Sequence, residues 1–317
     1  MKDLKLGLQL GYWGGGPNPN MIPMVQEAER LGYDAVFTAE AYGSDVFTPL
    51  AWIGAHTERI RLGTGIAQLS ARAPTATAMA AMTLDHLSGG RLILGLGVSG
   101  PQVVEGWYGQ PFGKPLARTR EYINIIRQVL ARTDPVVSEG DHYPLPYTGE
   151  GSWGLGKPLK SIVHPLREDL PIFLGAEGPK NVAMTAEIAD GWLPLYYSPY
   201  RQEVYADQIV HARPGFEIMQ GVSVVISDDV EEALVPLKHS LALYIGGMGA
   251  RDRNFHNELV QRMGFAEAAS KIQDLYLDGK KDEAARAVPT ELADEISLVG
   301  TVDRIKDRLR AWRETPV

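Results

Sequence analysis

RLILGLGVSG, residues 91–100, is the stretch on which the fold is decided. An apolar run, Leu92, Ile93 and Leu94, ends in Gly95, Gly97 and Gly100. This is the composition of a buried strand that stops where backbone must come close to something. The three glycines also match the bare G-x-G-x-x-G pattern of a dinucleotide-binding turn. That pattern belongs on an early strand, opens a helix directly, and is followed about 20 residues on by an acid ending the next strand. Here three strand–helix units precede it, and the acid at that distance, Glu121, lies inside a helical periodicity. The glycines therefore read as a ligand-facing strand end in a different α/β fold.

Outward from this stretch, short apolar strands alternate with amphipathic helices. Before it come strands at 4–10, 34–40 and 59–68. Between them lie a helix carrying Ile22, Val25, Ala28 and Leu31 that stops at Gly32, a helix beginning at PLAWIGAHT, and one over about 75–88 that stops at Ser88-Gly89-Gly90. After it, Tyr122, Ile125, Ile126, Val129 and Leu130 mark a helix face. Strands follow at 171–176, 191–196, 218–227 and 295–301. Helices are expected over 179–189, near 200–212, from Val230 to Tyr244, and from Val302 to Trp312. The rhythm breaks twice: at 134–170, rich in Pro, Gly and Tyr with room for a short hairpin, and at 246–294, irregular but mostly helical. Eight strand–helix units are the number that closes a parallel barrel, whose strand C-termini share one face and carry the chemistry. The expectation is one (β/α)8 TIM-barrel domain over 1–317 with insertions after strands four and seven.

Composition narrows the function classes. The 317 residues are 44% hydrophobic and 22% charged and include no cysteine, which excludes disulfides, thiolate metal sites and cysteine nucleophiles. A net charge of −8 without a dense Lys/Arg stripe speaks against a nucleic-acid partner. The N-terminus has no signal-peptide layout, and no apolar run approaches the roughly 18 residues of a membrane span, so a soluble cytoplasmic protein is expected. The seven histidines are scattered without metal-ligand spacing, so no metal is expected. There is no G-x-S-x-G elbow and no P-loop lysine. The unusual residues gather at strand C-termini: Glu40, Gly65-Ile66, Gly97-Val98-Ser99-Gly100 and Gly175-Ala176-Glu177-Gly178. The last of these opens a helix with Pro179 in its first turn, so free backbone N–H groups there, with Lys180, suit an anion. An ordinary strand-to-helix turn has the same pattern.

Five segments together carry a family resemblance: VFTAEAYGSD (36–45), RIRLGTGIAQ (59–68), TLDHLSGGRLILGLGVSGPQVVEGWYG (83–109), GKPLARTREY (113–122) and LGAEGPKNVAMTAEIADGWLP (174–194). In this order they resemble the luciferase-like flavin and deazaflavin oxidoreductases, most closely the coenzyme F420-dependent branch. The resemblance implies hydride transfer between F420 and a small organic substrate, in a homodimer or larger homo-oligomer. It also implies a non-prolyl cis peptide at Gly65–Ile66 that bulges behind the ring. Cofactor contacts would come from Ala39, Gly65, Ile66, Gln68, Gly97, Val98, Ser99 and Gly100. The phosphate of F420, or of FMN, would sit at Ala176, Glu177, Gly178, Lys180 and Asn181. An FMN-dependent monooxygenase and a non-catalytic flavin- or F420-binding relative are the alternatives.

Two departures bear on the reaction. F420-dependent sugar-phosphate dehydrogenases carry a Glu at the end of strand one and another after the strand-four glycines, where this chain has Gln9-Leu10-Gly11-Tyr12 and Gly100-Pro101. Flavin luciferases carry Glu-His after strand two, where this chain has Glu40-Ala41.

Glu40 reads as a proton donor if burial raises its pKa, or as a salt-bridged acid on the rim. Tyr42 reads as a phenol donor or a pocket wall. Ser44 and Asp45 read as helix caps, and Gln68 as a donor to the ring or its ribityl chain, or as a solvated strand end. Trp13, Trp107, Tyr108, Trp192, Tyr196 and Tyr197 lie near strand ends and read as the lining of a cavity for a planar substrate or as core. Lys157, Lys160 and Arg167 are expected to receive the oligoglutamate tail of F420.

Overall fold

A helix between two strands returns the chain to the same end of the sheet, so alternating short apolar runs and helices build parallel sheets. The computed structural model describes residues 4–249, 251 and 254–317; residues 250, 252 and 253, inside the irregular stretch expected at 246–294, lie outside the described residues. The chain forms two compact units: Lys5–Gly175 with Ile188–Asp190, and Leu4 with Ala176–Glu187 and Gly191–Val317.

The first unit is built on β1 (Gly7–Gly11), β2 (Ala35–Thr38), β3 (Arg61–Thr64), β4 (Ala67–Gln68), β5 (Leu92–Gly97) and β6 (Ile172–Gly175). All pairings are parallel, in the order β1-β2-β3-β5-β6, with β4 also on β5. The helices are α1 (Met21–Arg30), α2 (Phe47–Gly54), α3 (Pro74–Ser88), α4 (Pro101–Gly106) and α5 (Pro115–Ala131). Strand residues Val36, Leu62, Leu92, Leu94 and Ile172 pack with Val25, Leu50, Ala81, Tyr122 and Ile126 of the helices in one buried cluster. Phe37, Ile93 and Phe173, one position out of phase, are also buried. The strands are thus covered on both faces, which is why they read as continuous apolar runs.

Helix stops follow the glycines. Gly32 has φ 84° and Gly89 has φ 67°, left-handed conformations open to glycine at little cost. The expected third strand, 59–68, is two strands: the Gly65–Ile66 peptide is cis and separates β3 from β4.

Gly63 lies in register with Phe37, and a Cβ on it would fall inside the Phe37 ring. Gly63→Ala is expected to destabilise the first unit by about 1–3 kcal/mol through overpacking. Urea denaturation checks this, and an unchanged midpoint would mean that Phe37 has room to move.

The stretch after α5 holds only two isolated antiparallel bridges, Val136–Leu159 and Ser138–Leu145. Arg167 from this stretch pairs with buried Asp85 at 2.7 and 3.0 Å and donates to Leu92 O. Arg167 is therefore bound at the start of β5, the end opposite its glycines, and is not placed to receive an anionic tail. Lys160 donates to Thr133 O at 2.5 Å.

The second unit contains α6 (Pro179–Ile188), β7 (Gly191–Leu193), α7 (Glu203–Ile209), β8 (Glu217–Ile218), β9 (Ser223–Ile226), α8 (Val230–Ala242) and α9 (Phe255–Val260). It continues with α10 (Ala266–Leu277), α11 (Lys281–Arg286), α12 (Thr290–Glu295), β10 (Ser297–Gly300) and α13 (Val302–Arg313). Two parallel pairs form, β7–β8 and β9–β10. The expected strand 218–227 is interrupted between β8 and β9, where Gln220 donates its side-chain amide to Leu195 O. The core is aromatic: Trp192 meets Tyr205 edge-on at 4.8 Å, and Tyr197 stacks on Tyr205 at 5.6 Å. Among the described residues no helix is long and apolar enough to cross a membrane.

Candidate functional site

In the first unit the C-terminal strand ends converge on Glu40, which is buried. Its Oε1 accepts from Arg72 Nη1 at 2.6 Å and Gln68 N at 2.8 Å. Its Oε2 accepts from Arg72 Nη2 at 2.9 Å and Val46 N at 3.3 Å. Two donors on each oxygen saturate a carboxylate. Of the two roles open to Glu40, the geometry is that of the salt-bridged acid. The group ties the β2–α2 loop to the strand end beyond the cis peptide and presents no free oxygen to a substrate. Arg72, which no sequence signal singled out, is the missed member. Its guanidinium is held above its ordinary pKa by the Glu40 hydrogen bonds and lies 5.1 Å over the Phe47 ring.

Backbone contacts join the same strand ends. Gly65 N donates to Thr38 O at 2.6 Å, Glu40 N to Ile66 O at 3.3 Å, and Ala39 N to Gly11 O at 3.0 Å. Beyond the cis bond, Ile66 lies against Gly97, where an added Cβ would come within 2.8 Å of the Ile66 side chain. Gln68 is 2% exposed, so it is not a solvated strand end. Its Nε2 donates to Glu40 O at 3.1 Å and Ala41 O at 3.3 Å, so its donor is used within the chain, and its Oε1 has no partner. At the end of β5, Val98 is half-buried, Ser99 has φ 57°, and Gly100 O receives the first N–H groups of α4.

Tyr42 is 63% exposed and its ring lies 6.5 Å from that of Trp107. Tyr108 donates to Ala41 O at 2.9 Å, and burial raises its phenol above the ordinary value, with a smaller contribution from Glu40. Asp45 Oδ1 accepts from Phe47 N and Thr48 N at the start of α2, whereas Ser44 Oγ accepts from Trp13 N and caps no helix.

In the second unit, Ala176 O accepts from Trp192 Nε1 at 2.8 Å. Asn181 N and Val182 N both turn onto Gly178 O at the start of α6, and Lys180 is exposed. Glu177 turns inward. Its Oε1 accepts from Leu195 N at 2.5 Å, while Oε2 is closed to solvent and unpartnered. Burial pushes this carboxyl up to about 8, against smaller opposing effects of the Leu195 N–H and Arg262. It is therefore largely protonated at neutral pH and does not repel an anion at the neighbouring helix start.

His256, half-buried with its Nδ1 closed to solvent, is a second such group in this unit that no sequence signal marked. Tyr196 and Tyr244 meet its ring edge-on, its Nδ1 has no partner, and burial lowers its pKa to about 4. The aromatics divide: Trp192, Tyr196 and Tyr197 are core, whereas Trp107 is exposed.

Comparison with known proteins sets this geometry in context. The sequence profile described as luciferase-like monooxygenase matches residues 12–317. A Mycobacterium tuberculosis protein with the provisional name coenzyme F420-dependent oxidoreductase is 58% identical, over 99% of this chain and 93% of its own. A 5,10-methylenetetrahydromethanopterin reductase of Archaeoglobus fulgidus is 28% identical, over 90% of this chain and 83% of its own. The structure of the coenzyme F420-dependent tetrahydromethanopterin reductase of Methanopyrus kandleri superposes with a TM-score of 0.76 at 24% identity, covering 98% of this chain and 90% of that one. At that identity the likeness establishes the shared fold.

Proposed function

The chain belongs to the luciferase-like monooxygenase family, and on that premise we propose that it transfers a hydride between coenzyme F420 and a small organic substrate. The observation that carries this is the 58% identity, over nearly the whole chain, to the relative provisionally named for that cofactor. The strand ends of the first unit fit a flat ring. Gly97 has no Cβ where one would strike Ile66, so the Ile66 side chain can lie directly against the end of β5. When bound, the deazaflavin supplies or accepts the hydride.

The chain's own residues then divide the remaining work. Ile66 would back the ring, and Ala39, Gly65, Val98, Ser99 and Gly100 would line it, with Gln68 holding the strand end behind them. Glu177, Gly178, Lys180 and Asn181, with Ala176, form the phosphate contact, and a protonated Glu177 keeps that contact free of a competing negative charge. Glu40 positions the strand ends through Arg72, Gln68 N and Val46 N. Tyr42 holds the exposed phenol at the same strand end, and we assign it the proton that accompanies the hydride.

We read the whole chain as a single (β/α)8 barrel domain in which 134–170 and 246–294 are insertions after strands four and seven. The eight strand–helix units of the sequence support this. A cytoplasmic homodimer or larger homo-oligomer is the assembly we propose, supported by the exposed Trp52 of α2 and the exposed Met79 and Leu87 of α3.

Paired fluorescence titrations of the purified chain with F420 and FMN test the cofactor. Binding of F420 at least tenfold tighter than FMN is expected. The reverse order would move the protein to FMN-dependent oxygenation, with oxygen uptake as the next assay. Binding of neither would end the redox reading.

A further inference from the structure

We propose that Tyr12, Tyr42 and Trp107, on the strand-end loops of the first unit, form a rim that binds a planar organic molecule carrying no negative charge. The inference rests on reading these strand ends as the substrate side of the redox site, and it supplies the substrate class.

The three residues are 51%, 63% and 65% exposed. They do not sit on loose loops. The loop after β1 is latched to the loop after β2 by Trp13 N on Ser44 Oγ at 3.1 Å. Their backbones touch so closely at Gly43 that a Cβ there would lie 2.8 Å from Trp13 O and 3.6 Å from the Tyr12 ring. The segment after α4 is latched to the same loop by Tyr108 Oη on Ala41 O at 2.9 Å. Tyr42 and Trp107 face each other at 6.5 Å with their planes 55° apart. Three aromatic faces held in place by backbone latches form a preorganised stacking surface, which binds without first having to order its loops.

Charge decides what stacks there. The ionic side chains beside the rim are already engaged. Arg72 is taken by Glu40, Asp45 by the N–H groups of Phe47 and Thr48, and Glu105 by Phe112 N. No guanidinium or ammonium among these groups is left to meet a phosphate or carboxylate, and the remaining negative charge of Asp45 and Glu105 opposes one. An anionic substrate would have to give up its hydration with no counter-charge in return. The rim therefore rejects an anion and selects a molecule with a flat apolar face.

The test measures binding by equilibrium dialysis of the full chain against three naphthalene probes that differ only in charge. These are 2-acetylnaphthalene, its 6-carboxylate, and its 6-trimethylammonium derivative. The neutral ketone is expected to bind at least tenfold tighter than the carboxylate, and the trimethylammonium probe no more weakly than the ketone. Trp107→Ala is expected to weaken it at least tenfold, and Trp107→Phe to restore most of the loss, while F420 affinity changes less than twofold in both. Equal binding of the ketone and the carboxylate, tighter binding of the carboxylate, or no binding of any of the three at millimolar concentration would overturn the proposal. So would Trp107→Ala that abolishes self-association in sedimentation but leaves probe binding intact, because the rim would then be a contact between copies. Discrimination among the probes by a chain that does not bind F420 would leave the rim standing and remove the cofactor reading.

Discussion

Arg72→Met is expected to be the most damaging single change in the first unit, costing about 3–5 kcal/mol of stability. The reason is the partner it leaves behind. The Glu40 side chain is 3% exposed, and losing Arg72 strands a carboxylate where water cannot reach it. Two backbone N–H groups remain on it, from Gln68 and Val46, and they do not neutralise a charge. The double variant Glu40→Leu/Arg72→Met is expected to recover most of the loss, because removing both members of a buried pair removes the uncompensated charge as well. Urea unfolding of the two single variants and the double variant gives the coupling directly. If Arg72→Met costs less than about 1 kcal/mol, the pair behaves as a surface ion pair and Glu40 is not the anchor of these strand ends. Because Glu40 also holds the backbone of Gln68, two residues beyond the cis peptide, F420 affinity is expected to fall together with stability.

The second large effect is a pH dependence. The Glu177 carboxyl has an ordinary value of 4.5 and is pushed up to about 8 in the folded chain by burial. The folded state therefore holds this proton more tightly than the unfolded state. Its stabilising contribution is complete below about pH 4.5 and is lost as pH rises through about 8. Glu177→Gln cannot ionise. Relative to the natural chain it is expected to gain stability progressively across that window, reaching about 2–5 kcal/mol at its upper end. Denaturation midpoints of both proteins at pH 5 and pH 8 test this. A constant difference between them at the two pH values would show that the carboxyl is ionised in the fold and solvated. His256 runs the opposite way. Its pKa is lowered to about 4 from 6.5, so its contribution is present above pH 6.5 and lost as pH falls toward 4. The acid limb of the natural chain therefore belongs in part to His256 and the alkaline limb to Glu177, and the variant should alter only the second.

Some of the site was legible before any coordinates. The glycines of RLILGLGVSG end β5 where the apolar run stops, and Gly32 and Gly89 stop their helices in left-handed conformations. The strand ends that gather Glu40, Ile66, Gln68 and Gly97 follow from the same reading, because parallel strands joined by helices must share one end. The roles of those residues were not legible. Glu40 allowed a proton donor or a salt-bridged acid, and the choice belongs to Arg72, 32 residues away. Arg167 read as a free cation in an irregular stretch, and its partner Asp85 is 82 residues distant. Glu177 sits in a sequence typical of an anion-binding turn, and nothing in that sequence says that its carboxyl folds inward against Leu195 N. The aromatics near strand ends read alike, yet Trp192 is core and Trp107 is rim.

By itself, then, the sequence determined the α/β class, the parallel strands and their glycine-marked ends, and the family. Each of these is a local property, written in periodicity, turn chemistry and motif order. Only the tertiary structure decided which carboxyl is charged, which cation is committed and which aromatic faces solvent. Those properties depend on dielectric and on partners brought together from distant parts of the chain, and no local window of residues contains either.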